Sequence, residues 1–239
     1  METVTAALSA NAGISLTAGG KRVWADAVHS TPTPPYSTLS PELFEKMLTH
    51  RAFAAPDLLF FSHCHPDHYS EEMAKRAKAL WPGAVIAAPE PAEGCDIALR
   101  GSRVRILRDG VELEFARLPH EGEQYAAVSH YVLLASVGEV TALFTGDCAV
   151  ADPGLGDFLD GRKVDLAFFD FPWLTLPKGR RYIEERVRPA HLLICHLPFG
   201  AEDRFGYRRA AERAAASVSG IDVKLMSEPL QTETLCVRP

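Results

Sequence analysis

The chain has 239 residues, of which 47 % are hydrophobic and 23 % charged. This composition is globular and large enough for one sizeable core, which excludes a fibrous, low-complexity or disordered chain. A formal net charge of -6 argues against a broad nucleic-acid-binding face, and no apolar run approaches membrane-spanning length.

Ile14 to Thr17 and Arg22 to Ala25, joined through Gly19-Gly20, read as a hairpin with a Gly-rich turn. Residues 26–41 hold four prolines, several Ser/Thr residues and Tyr36, and they read as a long irregular loop of the kind that borders a functional site. Ser40-Pro41-Glu42 is a helix start, with a Ser cap and Pro at the first helical position, and the helix is expected to run to about His50. The apolar stretch 57–61 reads as a buried strand, and Ser70-Glu71-Glu72 opens a second helix to about Leu80. Strands follow at 83–88, 103–107 and 111–118, then a buried pair at 131–135 and 140–144 that turns at Gly138. The last third alternates: strand 164–169, helix 178–187, strand 191–195, helix 205–217, strand 222–226. Strand-rich halves with helices attached to each fit a layered α/β (α+β) sandwich, expected as one domain over residues 1–239.

Five scattered cysteines (Cys64, Cys95, Cys148, Cys195 and Cys236) form no C-x-x-C pair, which points to free thiols. The first ten residues lack a basic segment followed by an apolar core, so the expected location is cytoplasmic.

One run carries the chemistry. Ser62-His63-Cys64-His65-Pro66-Asp67-His68 places three imidazoles and a carboxylate at the exit of the 57–61 strand. Such groups are costly to crowd unless something binds them, and a divalent metal, or two, is the economical reason. Alternate residues on a strand face opposite ways, so His63 and His65 can converge on one ion while Cys64 faces the core. Asp67 and His68 follow one short turn later and suit a second ion. Nitrogen with carboxylate oxygen suits Zn²⁺, Fe²⁺ or Mn²⁺ better than Mg²⁺ or Ca²⁺.

Three later positions can complete a two-metal site. Thr145-Gly146-Asp147 ends a buried strand in a carboxylate, and the apolar strand 191–195 ends at His196. A further His lies between the cluster and these, either His120 in Leu118-Pro119-His120-Glu121-Gly122 or His130 in Ser129-His130-Tyr131; strand-end loops gather ligands, which favours His120.

In that order, the pieces resemble the metallo-β-lactamase superfamily, whose signature is H-x-H-x-D-H, then a His, a Gly-Asp at a strand end, and a late His. The likeness spans the chain from the first hairpin to His196. It implies a four-layer αββα sandwich, two mixed sheets with helices outside and the metals at one edge. Metal 1 would be held by His63, His65 and His120, and metal 2 by Asp67, His68 and His196, with Asp147 bridging. The HxHxDH form, with His at position 65, looks like the compact, hydrolytic lactonase-like and phosphodiesterase-like branch. Two Zn²⁺ ions are the first choice as cofactors, with Mn²⁺ or Fe²⁺ compatible. A metal-bridged hydroxide would cleave a small ester, lactone or phosphoester, while Asp67 orients it and shuttles a proton. The expected partner is a small-molecule substrate, with no nucleic acid and no membrane, and a homo-oligomer is compatible. The same fold could instead carry a di-iron oxidoreductase or a non-catalytic metal-binding module. Cys64, Cys148 and Cys195 read as buried inert thiols, Phe168 to Trp173 as a pocket wall or ordinary core, and Arg208, Arg209 and Arg213 as a solvated helix face.

Overall fold

The computed structural model describes residues 1–238. β1 (Glu2–Leu8), β2 (Ile14–Ala18) and β3 (Lys21–Ala25) make an antiparallel meander. After α1 (Pro41–Thr49) the chain adds β4 (Leu58–Phe60), and after α2 (Glu71–Leu80) it adds β5 (Val85–Pro89) and β6 (Ile97–Leu99), each parallel to its neighbour. A second sheet repeats the plan. β7 (Arg103–Arg108), β8 (Val111–Arg117), β9 (Tyr131–Val137) and β10 (Val140–Phe144) are antiparallel. Past α3 (Pro153–Leu159), the parallel strands β11 (Leu166–Asp170), β12 (His191–Cys195) and β13 (Asp222–Leu225) complete it. Between β11 and β12 lie α4 (Phe171–Thr175) and α5 (Pro177–Tyr182), which runs into a π-helical turn at Ile183–Val187; α6 (Tyr207–Ala215) precedes β13. β14 (Thr232–Val237) returns to pair antiparallel with β1, so each sheet has seven strands.

The helix starts follow local chemistry. Ser40 Oγ accepts from Leu43 N at 3.2 Å and Ser70 Oγ from Met73 N at 3.4 Å, and each satisfies an amide the helix leaves free. Asp152 does the same for α3, accepting from Gly154 N at 2.8 Å.

Strand alternation sorts the core into layers. Leu133, Ala135, Ala142, Phe144, Leu166, Phe168 and Leu193 face the first sheet, whose own apolar residues also pack on Phe44 and Met47 of α1 and Met73 and Ala77 of α2. Their neighbours Val132, Leu134, Leu143, Ala167, Phe169, Leu192 and Ile194 face the other way, against Leu155, Phe158, Trp173, Ile183 and Ala211 of the outer helices. Strands buried on both faces explain the unbroken apolar runs seen in the sequence. The layers are helix, sheet, sheet, helix: the expected αββα sandwich. Parallel pairing gathers the strand exits on one edge, because the C-terminal ends of β3 and β4, and of β10, β11 and β12, lie side by side.

Several expected elements differ. The strands β1, β6 and β14 and the short helices α3 and α4 were not expected from the sequence. Helix 178–187 is α5 plus a π-helical turn, starting at Pro177 immediately after α4. Helix 205–217 starts later, at Tyr207, since Gly206 before it is left-handed (φ 73°). Arg208 is not simply solvated: its Nη1 lies 2.8 Å from Glu228 Oε1.

The two sheets meet at Phe60 and Phe115, whose ring centroids are 5.4 Å apart and which are at most 1 % exposed. Phe115→Ala should cost about 3–5 kcal/mol, the usual range for emptying a buried aromatic site. Equilibrium denaturation with urea, read as a lowered midpoint at unchanged slope, measures it.

Candidate metal centre

Seven side chains converge where the strands end. His63, His65, Asp67 and His68 leave β4, Asp147 leaves β10, His196 leaves β12, and His120 lies on the loop after β8. An isolated bridge between His120 and Cys148 ties that loop beside Asp147, and Glu121 N donates to Asp147 O at 2.8 Å. His196 is held left-handed (φ 59°), an uncommon conformation for a non-glycine residue, while its amide donates to Asn11 O at 2.9 Å.

The donor atoms fall into overlapping groups of three: His63, His65 and His120; His63, His68 and Asp147; and Asp67, His68 and His196. Within each group they lie within 4.8 Å of one another. Asp147 spans the first and last groups. Its Oδ2 is 3.5 Å from His120 Nε2 and 4.0 Å from His63 Nε2, while its Oδ1 is 3.2 Å from His68 Nε2 and 3.5 Å from His196 Nε2. Asp67 Oδ2 lies 3.7 Å from His196 Nε2 and 4.0 Å from His68 Nε2. His130 joins none of these groups: its ring is 5.4 Å from that of His63, and its Nδ1 donates to Leu118 O at 3.2 Å behind them.

Hydrogen bonds around the rings fix where the lone pairs point. Asp26 Oδ1 accepts from Ser62 N (2.7 Å), and Oδ2 accepts from Ser62 Oγ (2.6 Å) and from His68 Nδ1 (3.0 Å). With its proton committed to Asp26, Ser62 Oγ must accept from His63 Nδ1 at 2.9 Å. His120 Nδ1 donates to Glu121 O at 2.7 Å. Nδ1 therefore carries a proton in all three rings, and Nε2 is the nitrogen each ring turns inward. Across the centre, His63 Nε2 faces His65 Nδ1 at 3.0 Å and His68 Nε2 faces His196 Nε2 at 3.1 Å. His120 Nε2 is buried without a partner, and Asp147 Oδ1 makes no well-aligned hydrogen bond. Facing lone pairs and orphaned acceptors repel unless a cation or a proton sits between them, so the residues fit divalent metal ions.

The ionisation pattern agrees. Burial, with His68 adding to it, holds His63 well below the usual imidazole value; burial also lowers His65 and His196 and takes His130 down to about 4. These rings are neutral, the form that coordinates a metal. His68 runs the other way: burial opposes its charge, but Asp147 and Asp26 raise it well above the ordinary value. Asp147 is lowered well below the carboxylate range, since His68 and His196 outweigh its burial. In the protein without metal, a proton on His68 takes part of the place a cation would fill.

Sequence reasoning passed over Asp26, Ser62 and Asn11. Asn11 Nδ2 donates to Asp67 O at 3.1 Å and to Asp67 Oδ2 at 3.4 Å, fixing that carboxylate. Asp26 had a usable signal: like Asp147, it is a carboxylate just past a buried strand. Tyr36 of the Pro-rich loop stands at the site, its ring 4.0 Å from that of His196. Tyr125 packs on the opposite side, 4.9 Å from His65 and 4.7 Å from His120. Cys148 and Cys195 are buried as expected, whereas Cys64 is half-buried, its Sγ donating to Pro89 O at 3.5 Å and not entering the core.

No family model matches the sequence, and no curated protein matches it either. Solved structures do. Igni18, a metallo hydrolase from the hyperthermophilic archaeon Ignicoccus hospitalis, is 14 % identical with a TM-score of 0.66, covering 99 % of this chain and 100 % of its own. YhfI from Bacillus subtilis, a metallo-beta-lactamase fold protein, is 14 % identical with a TM-score of 0.66, covering 98 % of this chain and 99 % of its own. CmlA, a diiron beta-hydroxylase from Streptomyces venezuelae, is 15 % identical with a TM-score of 0.65, covering 98 % of this chain but 54 % of its own. The chain has the metallo-β-lactamase fold. Among the described residues, no helix is long and apolar enough to cross a membrane.

Asp26→Asn should weaken divalent-metal affinity about 10–100-fold, the usual effect of losing a partner that orients a ligand. Competition with a chromogenic chelator measures it, and circular dichroism confirms that the fold is retained.

Proposed function

We propose that this chain is a metal-dependent hydrolase with a dinuclear centre, acting on a small ester, lactone or phosphoester. The observation that carries the reading is Asp147, which turns one oxygen to each of two groups of metal-binding donors. His63, His65 and His120 would hold one ion, and Asp67, His68 and His196 the other. The name given to Igni18 supports the same reaction class.

A pair of divalent ions would supply Lewis acidity toward a substrate oxygen and a water acidified towards neutrality. The chain's own residues do the rest. Asn11 holds Asp67 so that Oδ2 faces the centre, where it can take a proton from the attacking water and return it to the leaving group. Asp26 and Ser62 keep His68 and His63 in one tautomer. His65 is the most exposed of the histidine ligands, so the substrate would enter on its side, beside Tyr125. Zn²⁺ is favoured by the nitrogen-rich donor set, and Mn²⁺ and Fe²⁺ fit it too. The net charge of -6 favours a small substrate over a nucleic acid.

A di-iron oxidoreductase is the second reading, favoured by the likeness to CmlA, although this chain spans about half of that protein. Metal and activity measurements on one preparation separate the two. Elemental analysis after loading should find about two metals per chain, falling to about one in His120→Ala and staying at about two in His130→Ala. Protein that takes up no metal sinks both readings. Asp67→Ala should lower turnover of chromogenic esters and phosphodiesters about 10²–10⁴-fold. Undiminished activity in that variant removes Asp67 from the mechanism.

A further inference from the structure

β11 ends in a carboxylate that the donor groups do not use. The strand lies between β10 and β12, whose exits supply Asp147 and His196, and its last residue is Asp170. Asp170 pairs in register with Cys195, which faces the first sheet, as does Phe168 two residues before Asp170. Strand alternation therefore turns the Asp170 side chain into the space between the sheets. It is 7 % exposed there, and its Oδ1 is buried without a hydrogen-bond partner. An orphaned buried acceptor is costly, so its position calls for a partner.

Asp170 lines a cavity of about 10 Å³ beside the strand exits, together with Asp26, Thr145 and the apolar side chains of Ile14, Phe144 and Phe168. A cavity of roughly 10–15 Å³ holds one water when two or more polar groups face it. The polar groups here fit that count. Thr145 Oγ1 already donates to Phe168 O at 2.9 Å, and Cys195 Sγ to Phe169 O at 3.4 Å. Asp26 accepts three hydrogen bonds, from Ser62 N, Ser62 Oγ and His68 Nδ1, and a carboxylate has about four acceptor positions. Each of the two carboxylates thus has an acceptor to spare, and a water has two hydrogens to give. The rest of the wall is largely apolar, which suits a neutral water better than a cation.

We propose that a buried water donates one hydrogen to Asp170 Oδ1 and the other to Asp26, and that Asp170, acting through it, is a positioning residue for the metal-binding rings. Asp26 holds His68 and, through Ser62, His63, so a further support on its carboxylate steadies the direction of both rings. The bridge also crosses between the sheets. Asp26 follows β3 of the first, and Asp170 ends β11 of the second, between the strands that supply Asp147 and His196. It therefore keeps first-sheet donors in line with second-sheet donors before any ion arrives. The positioning role rests on the metal-centre reading under Proposed function, whereas the water bridge does not.

Two variants of similar side-chain size separate this role from packing. Asp170→Asn keeps a carbonyl oxygen for the water, while Asp170→Leu removes it and can leave the fold as stable, because an apolar group replaces a buried polar one. Zn²⁺ affinity, read by competition with a chromogenic chelator, should fall about tenfold in Asp170→Leu and stay within about threefold in Asp170→Asn. The Nδ1 proton of His68, followed by NMR in the metal-free chain, should shift in the Leu variant and not in the Asn variant. Unchanged affinity and an unchanged His68 resonance in Asp170→Leu overturn the proposal. So does affinity that falls in both variants alike and only in step with their urea midpoints, since that is packing. A high-resolution crystal structure of the wild-type chain with no water in reach of both Asp170 Oδ1 and Asp26 overturns it as well. Wild-type protein that binds no Zn²⁺ removes the metal centre, and the water bridge is then decided by the crystal structure and the His68 resonance.

Discussion

Asp26 is the fixed point of the site. Its two oxygens accept from the amide and hydroxyl of Ser62 and from the ring of His68, and they join the end of β3 to the end of β4. Through Ser62 the same carboxylate also decides which nitrogen of His63 carries its proton. Were Asp26 replaced by an apolar residue, those rings could rotate or change tautomer, and the lone pairs would no longer meet. His63 and His68, the two rings whose donor atoms recur in more than one group, thus share one anchor, and a metal site needs both the right atoms and the right directions.

The strand exits explain why so many polar groups are tolerated there. Along the central strands both faces of the sheets are apolar, and a buried imidazole there would have no partner. At the ends of β4, β10 and β12 the backbone leaves the ladder, so side chains can turn inward from loops while their outer atoms reach carbonyls and carboxylates. The left-handed turns at Gly146 (φ 50°) and His196 (φ 59°) make that inward turn possible. A Cβ on Gly146 would lie 2.5 Å from Ser62 Oγ, so the Gly-Asp step also keeps Asp147 close to the Asp26–Ser62 pair.

The sequence showed the parts of this arrangement that are local. The spacing of His63, His65, Asp67 and His68 lies within one turn after one strand, so residue order and strand geometry suffice to read it. Helices with serine caps were equally visible, because Ser40 and Ser70 act within three residues. Choosing between His120 and His130 required the contact between His120 and the Cys148 loop, which joins residues far apart in the chain. The β1–β14 pair was invisible for the same reason: Glu2 faces Val237. Asp26 was missed because one carboxylate beginning a Pro-rich loop has an ordinary reading as a turn former, and only its three donors distinguish it. The helix expected at 178–187 is there, as α5 and its π-helical turn; what went unread was α4, the separate short helix with Pro172 in its first turn that ends just before Pro177 opens α5.

The repeated strand plan has a consequence of its own. Each sheet runs from antiparallel strands into three parallel ones, and the carboxylates Asp26 and Asp147 both follow the last antiparallel strand before that change. The residues that could hold a metal lie on the seam between these like halves: four come from the first, and His120, Asp147 and His196 from the second. Neither half holds a full ligand set. A cation bound across the seam would therefore act as a cross-link between the sheets, and its affinity would add to the free energy that holds the two halves together, much as a disulfide ties distant segments. In such an architecture, loss of metal would loosen one half against the other as well as remove the chemistry.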